Sequence, residues 1–305
     1  MAPTELSGLV AALTKHLPTP TTPVTEIRHE HETAAAAYPM PDGVKVTSAV
    51  VAGRPVEVIE PSACVAGRTV LYLHGGGYVL GSPATVRALA ARVATAAQAT
   101  AHTIDYRLAP EHPYPAATAD VVAAYEDLVN QAHDPACMAV AGDSAGGGLV
   151  VSALVAIRDR GLPLPAAAVC ISPWVDLTLS SASVQSSPGD PECQPAFLGV
   201  MAAYYLAGQQ ADAPQASPLY ADLAGLPPFL IQVGQVEGLL DDSVGLAERL
   251  TAAGVSVMLE QWDGMIHVWH RYAPRLAEAV EAIDRIGLWL DERLPTARPS
   301  ISVDS

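Results

Sequence analysis

Met138-Ala139-Val140-Ala141-Gly142-Asp143-Ser144-Ala145-Gly146-Gly147 decides how this chain folds. An apolar run of strand length, Cys137 to Ala141, leads into Gly142-Asp143-Ser144-Ala145-Gly146. The longest apolar stretch of the chain, Ala145 to Ile157, then begins at once. Strand, tight turn and helix in that order are the context of a nucleophile elbow, in which the turn pushes a serine hydroxyl out of the sheet. Glycines on either side of Ser144 suit such a turn, because a Cβ there would collide with the neighbouring strand or helix. Ser144 is therefore the candidate nucleophile.

Working outward, eight segments read as strands: Val44 to Val51, Pro55 to Glu60, Thr69 to Leu73, Thr100 to Asp105, Cys137 to Ala141, Ala166 to Ile171, Phe229 to Val233 and Val255 to Glu260. Segments of helical period separate most of the later ones, among them Pro83 to Ala97, Ala117 to Gln131 and Asp242 to Ala253. This alternation predicts an α/β fold, an eight-stranded mainly parallel sheet with helices on both faces. It breaks between Trp174 and Leu226, where no strand is expected but Pro195 opens a helix through Tyr205. Ahead of the first strand, Leu6, Leu9, Val10 and Leu13 behind a Thr4 cap have the spacing of a short amphipathic helix. The expected organisation is an N-terminal cap segment over 1–45, a core over 46–174 and 220–294, an inserted cap segment over 175–219 and a loose tail over 295–305.

A serine hydroxyl needs a base within hydrogen-bond reach, and the chain holds nine histidines. His267 is the best placed, in the loop after the final strand and before the last helix; His270 is the nearest rival. A carboxylate to hold the imidazole belongs after the strand Phe229 to Val233. Glu237 comes soonest there, with Asp241 as the alternative, although Asp241 and Asp242 also suit the cap and first turn of the next helix. Upstream, His74-Gly75-Gly76-Gly77-Tyr78 ends another strand. Its glycines let backbone N–H groups approach a carbonyl, so Gly75, Gly76 and Gly77, with Ala145 at the start of the helix, are the expected oxyanion donors. His74 is expected to orient that loop. Tyr78, Phe197, Met201, Tyr204 and Tyr205 are candidate pocket walls, though the last four also suit the packing of a cap helix.

His74-Gly75-Gly76-Gly77, Gly142-Asp143-Ser144-Ala145-Gly146-Gly147 and the run Tyr106-Arg107-Leu108-Ala109-Pro110-Glu111-His112-Pro113-Tyr114-Pro115-Ala116 resemble, in order and spacing over about residues 60 to 290, the hormone-sensitive-lipase-like branch of bacterial carboxylesterases. The resemblance implies the α/β-hydrolase fold with an N-terminal and an inserted cap. It also implies hydrolysis of short- to medium-chain carboxylic esters through an acyl-enzyme on Ser144, a lactone or an amide being the other bonds such a triad could cut. That family's acid is usually Asp at the position of Glu237. Its Tyr-Arg-Leu-Ala-Pro-Glu segment implies a brace for the oxyanion loop through pairing of Arg107 with Glu111. Some relatives are receptors that have lost the histidine, so a non-catalytic small-molecule receptor is the rival from another class; here His267 is present.

Composition narrows the partners. A formal charge of -16 without clustered Lys and Arg argues against nucleic acid. No apolar run is long enough to span a bilayer, and the start of the chain lacks the basic and apolar runs of a secretory signal, so a cytoplasmic protein without membrane insertion is expected. Cys64, Cys137, Cys170 and Cys193 have no CxxC spacing, which argues against a metal site. No cofactor is expected, the partner is a small ester, and the resemblance leaves a homodimer through an edge strand open.

Overall fold

The computed structural model describes residues 21–186 and 190–295, together with residues 6, 8, 10, 13, 14 and 19. A helix, α1 (Val24–Ala35), precedes a hairpin of β1 (Val44–Val51) and β2 (Arg54–Pro61). Alternation follows: β3 (Thr69–Leu73), α2 (Pro83–Ala96), β4 (Thr100–Ile104), α3 (Ala116–Asn130), β5 (Met138–Asp143), α4 (Ala145–Asp159) and β6 (Ala167–Ile171). Then come α5 (Ala182–Ser186), α6 (Pro195–Leu206), β7 (Phe229–Gly234), α7 (Leu240–Ala252), β8 (Val257–Trp262) and α8 (Ala277–Asp291). The eight strands form one sheet in the order β1-β2-β4-β3-β5-β6-β7-β8. Only β1 with β2 and β2 with β4 run antiparallel; the other pairings are parallel.

Strand side chains alternate between the two faces, so consecutive residues of one strand feed two cores. In β5, Met138 and Val140 pack with Val121 and Tyr125 of α3, Leu149 of α4 and Leu246 of α7. Ala139 and Ala141 face the other way, toward Ala90 and Ala94 of α2 and Ile283 and Ile286 of α8. The central strands are buried along their whole length, as parallel strands covered on both faces must be. The site therefore sits on a rigid platform at their carboxyl ends.

Leu6, Val10 and Leu13 of the expected N-terminal helix pack beside the α2–α8 core, whereas Leu9 and Thr4 lie outside the described residues, as does the tail after Pro295. The segment between β6 and β7 holds α5, α6 and the short turn Pro218–Tyr220, with no strand among its described residues. Among the described residues no helix is long and apolar enough to cross a membrane.

The Arg107 to Glu111 brace is not formed. Arg107 instead makes paired hydrogen bonds to Asp120 in α3, with Nη2 to Oδ1 at 2.7 Å. Glu111 receives both terminal nitrogens of Arg28 from α1, at 2.8 and 2.7 Å. Arg28 also reaches the carbonyls of Val79 and Ala109. The segment thus braces α1 against the glycine loop.

Candidate active site

Ser144 sits between β5 and α4 with φ 54° and ψ -122°, a conformation that costs a non-glycine residue energy and persists only where the surroundings enforce it. The enforcement is steric and hydrogen-bonded. A Cβ on Gly142 would meet Leu73 O at 2.9 Å and the Gly146 carbonyl, and one on Gly146 would run into the carbonyls of Leu73 and His74. The Ser144 N–H donates to Ile171 O at 2.8 Å, and its carbonyl accepts from Trp174 N at 3.0 Å. The first and last glycines of the elbow are thus fixed by the close approach of the backbone of β3.

Three loops at the carboxyl ends of β5, β7 and β8 bring Ser144, Glu237 and His267 together. Ser144 Oγ lies 2.9 Å from His267 Nε2, and His267 Nδ1 lies 2.7 Å from Glu237 Oε2. A hydroxyl donating to Nε2 fixes the tautomer, with Nδ1–H donating to the carboxylate. Burial alone would push the His267 imidazole down, but the hydrogen bond and charge of Glu237 outweigh it and hold the ring above the ordinary histidine range. Burial raises Glu237, opposed by its bond to His267. Its other oxygen, Oε1, accepts from Gly234 N–H and from Ser172 Oγ, the latter at 2.9 Å. The rival acid is elsewhere. Asp241 lies in the first turn of α7, capped at Leu239, and accepts from Ser183 N at 2.7 Å; Asp242 accepts from the N–H groups of Val175 and Asp176. His270 lies on the turn Trp269–Tyr272 and bonds Gln232 Oε1 at 2.8 Å, away from Ser144.

The glycine loop closes over this arrangement. The buried His74 ring turns back on its own loop, Nδ1 donating to Gly75 O at 2.7 Å, and stacks on Tyr106 at 4.1 Å; Tyr106 Oη donates to His74 O. Burial pushes His74 down to about 4, which leaves it neutral. Gly75 lies where a Cβ would stand 3.1 Å from the Ser144 Cβ and against Asp143 Oδ2, and Gly76 and Gly77 both have positive φ. Ala145 opens α4 directly beneath.

A cavity of about 860 Å³ opens in front of Ser144 and His267. Phe197 and Met201 line it; Tyr78, Tyr204 and Tyr205 do not. Tyr78 is buried, donates to Trp174 O at 2.9 Å and stacks on Tyr205 at 4.0 Å, while Tyr204 packs on the same core. Those three aromatics anchor α6 instead. Sequence reading missed Ser172, whose only local sign is a serine at the end of a strand. It also missed the grouping of Asp190, Cys193 and His267, whose donor atoms lie within 4.8 Å of one another. Both His267 nitrogens are already engaged by Ser144 and Glu237, so an ion held there would have to break one of those bonds.

Residues 70–271 match the α/β-hydrolase-fold family. An acetyl-hydrolase from Streptomyces hygroscopicus is 50% identical over 225 residues, 73% of this chain and 75% of that protein. The crystal structure of an esterase/lipase from an uncultured bacterium superposes with a TM-score of 0.91 at 45% identity, covering 96% of this chain and 99% of that one. An esterase from the bacterial hormone-sensitive lipase family does so with a TM-score of 0.93 at 44% identity, over 97% and 100%. A parallel sheet carrying a serine elbow at its centre is the architecture of the α/β hydrolases. The chain belongs to that family, on its hormone-sensitive-lipase-like branch.

Proposed function

We propose how this chain, a serine carboxylesterase, cuts its ester. Ser144 Oγ attacks the carbonyl carbon as its proton passes to His267 Nε2, and Glu237 holds the imidazolium so formed. Negative charge on the carbonyl oxygen faces backbone N–H groups of the Gly75-Gly76-Gly77 loop and of Ala145, at the positive end of α4. His267 then protonates the departing alcohol oxygen, leaving an acyl group on Ser144. Water deprotonated by His267 attacks that acyl group, its bond to Ser144 Oγ breaks, and the proton passes from His267 back to Ser144 as the acid leaves. The observation that carries this reading is the unbroken chain from Ser144 through His267 to Glu237, opening on one cavity.

Residues 1–45 and 175–219 serve as cap segments over the core (46–174 and 220–294): α1 and the stretch from Pro191 to Met201 both wall the cavity. Its apolar lining suits short- to medium-chain acyl groups. Small esters are the partners, the residence is cytoplasmic, and a homodimer would form through β8, which ends the sheet and exposes Met258. Hydrolysis of p-nitrophenyl butyrate by the wild type and by Ser144→Ala tests the mechanism. Equal rates overturn it, and fluorophosphonate labelling at Ser144 separates an esterase from a receptor.

A further inference from the structure

The cavity in front of Ser144 has two kinds of wall. Ile27, Leu80, Val86, Leu89, Leu198 and Met201 make an apolar part. His31 from α1, Glu192 ahead of α6 and Arg271 from the turn after His267 make a polar one. Arg271 Nη1 pairs with Glu192 Oε1 at 3.0 Å, and both side chains are mostly buried. The rest of the guanidinium lies over the Tyr272 ring at 5.8 Å and, among the described residues, hydrogen-bonds backbone oxygens at long range, Val268 O at 3.3 Å and His267 O at 3.5 Å. Glu192 Oε2 and His31 Nδ1 are buried with no hydrogen-bond partner among the described residues. Buried polar atoms are nearly always met, so unmet ones on a cavity wall mark where a ligand's polar atoms belong.

The charge of this wall limits the ligand. Arg271 is balanced by Glu192, and burial together with Arg271 pushes His31 down to about 4, so its ring is neutral. A balanced ion pair and a neutral ring, with the carboxyl groups of Glu30 and Asp143 elsewhere on the cavity wall, suit hydroxyls better than carboxylate or phosphate. The position of the wall limits which half of the ester it meets. Arg271 follows His267 by four residues and touches its carbonyl. His267 Nε2 must reach the oxygen of the leaving alcohol to protonate it, so the alcohol half departs on the side of His267.

We propose that His31, Glu192 and Arg271 form a subsite for the alcohol half of the ester, and that the substrates are esters of uncharged polyols of the glycerol or sugar kind. This rests on ester hydrolysis at Ser144. The test compares kcat/KM for 2,3-dihydroxypropyl butyrate and propyl butyrate, which share the acyl group and differ only in two hydroxyls. The wild type is expected to favour the dihydroxy ester by about tenfold or more, because a site built to bond hydroxyls discriminates against the analogue lacking them. That ratio should collapse toward one in His31→Phe and in the double variant Glu192→Met with Arg271→Met, which removes the ion pair as a unit. Reading a ratio within each variant cancels losses of folding or basal rate. A wild type that favours propyl butyrate, or variants that keep the wild-type ratio, would overturn the subsite while leaving the esterase intact. A wild type that cuts neither ester nor p-nitrophenyl butyrate overturns the esterase reading, and the subsite with it.

Discussion

The Ser172 hydroxyl donates to Glu237 Oε1 at 2.9 Å while accepting from Val268 N–H at 3.2 Å, so one side chain ties the acid to the residue that follows His267. Ser172 lies at the end of β6 with φ 47°, fully buried, its N–H bonded to Gln232 O of β7. Its Oγ is therefore held by the sheet. Ser172→Ala should lower kcat by roughly ten- to a hundredfold, in line with about 1–3 kcal/mol for a buried hydrogen bond lost next to a charge. Steady-state kinetics and a thermal melt check this together: a kcat lowered by that factor in a protein that melts near the wild-type temperature supports a positioning role.

Glu237→Gln keeps the shape of the acid but loses its charge, and its amide can present an N–H where the imidazole N–H now donates. The expected loss in kcat is about 10⁴-fold, the scale of the corresponding change in other triads. Asp241→Asn should change kcat by less than about threefold, because that carboxylate serves the Ser183 N–H at the start of α5. A variant pair with the opposite ranking would move the acid to Asp241.

The pH dependence follows from the state His267 must occupy. Only the neutral ring accepts a proton from Ser144, so kcat/KM rises as the ring loses its proton. Glu237 stabilises the protonated ring and keeps it above the ordinary value of 6.5, so the midpoint of the acid limb should lie above 6.5. In Glu237→Gln the burial that lowers the ring is no longer opposed, and the residual activity should show its midpoint shifted to lower pH. A pH–rate profile of both proteins decides the matter.

Gly146→Ala places a methyl group on the carbonyl oxygens of Leu73 and His74. Backbone on a central strand cannot yield cheaply, so a destabilisation of about 3 kcal/mol is expected, read as a lower melting temperature together with loss of activity. Gly161→Ala, on an open surface turn with φ 69°, controls for backbone strain alone.

Much of this was legible in the chain because the strands are short apolar runs between glycines and helical periods. The apolar run alone predicts that β5 ends at Ala141. Gly142 and Asp143 nevertheless pair with Cys170 and Ile171, and this carries the strand right up to Ser144. Val255 to Glu260 was two residues early for β8, because Val255 is buried in the loop after α7, where its N–H bonds Leu250 O. Glu237 and His267 could be put forward from the sequence because loop position after a strand is a local property. Pairings across the fold are not. Arg107 with Asp120 needed the direction of α3, and Arg271 with Glu192 joins residues 79 positions apart with no pattern in common. Phe197 and Met201 line the cavity while Tyr204 and Tyr205 do not, for a related reason: helical spacing shows that the four share a helix, but not which side of it faces the cavity.

Ser144 and His267 stand 123 positions apart, and the histidine follows the last strand of the sheet. During synthesis the ribosome delivers the nucleophile long before the group that activates it. The hydrogen bond between the two can therefore form only once β8 and the loop after it have joined the edge of the sheet.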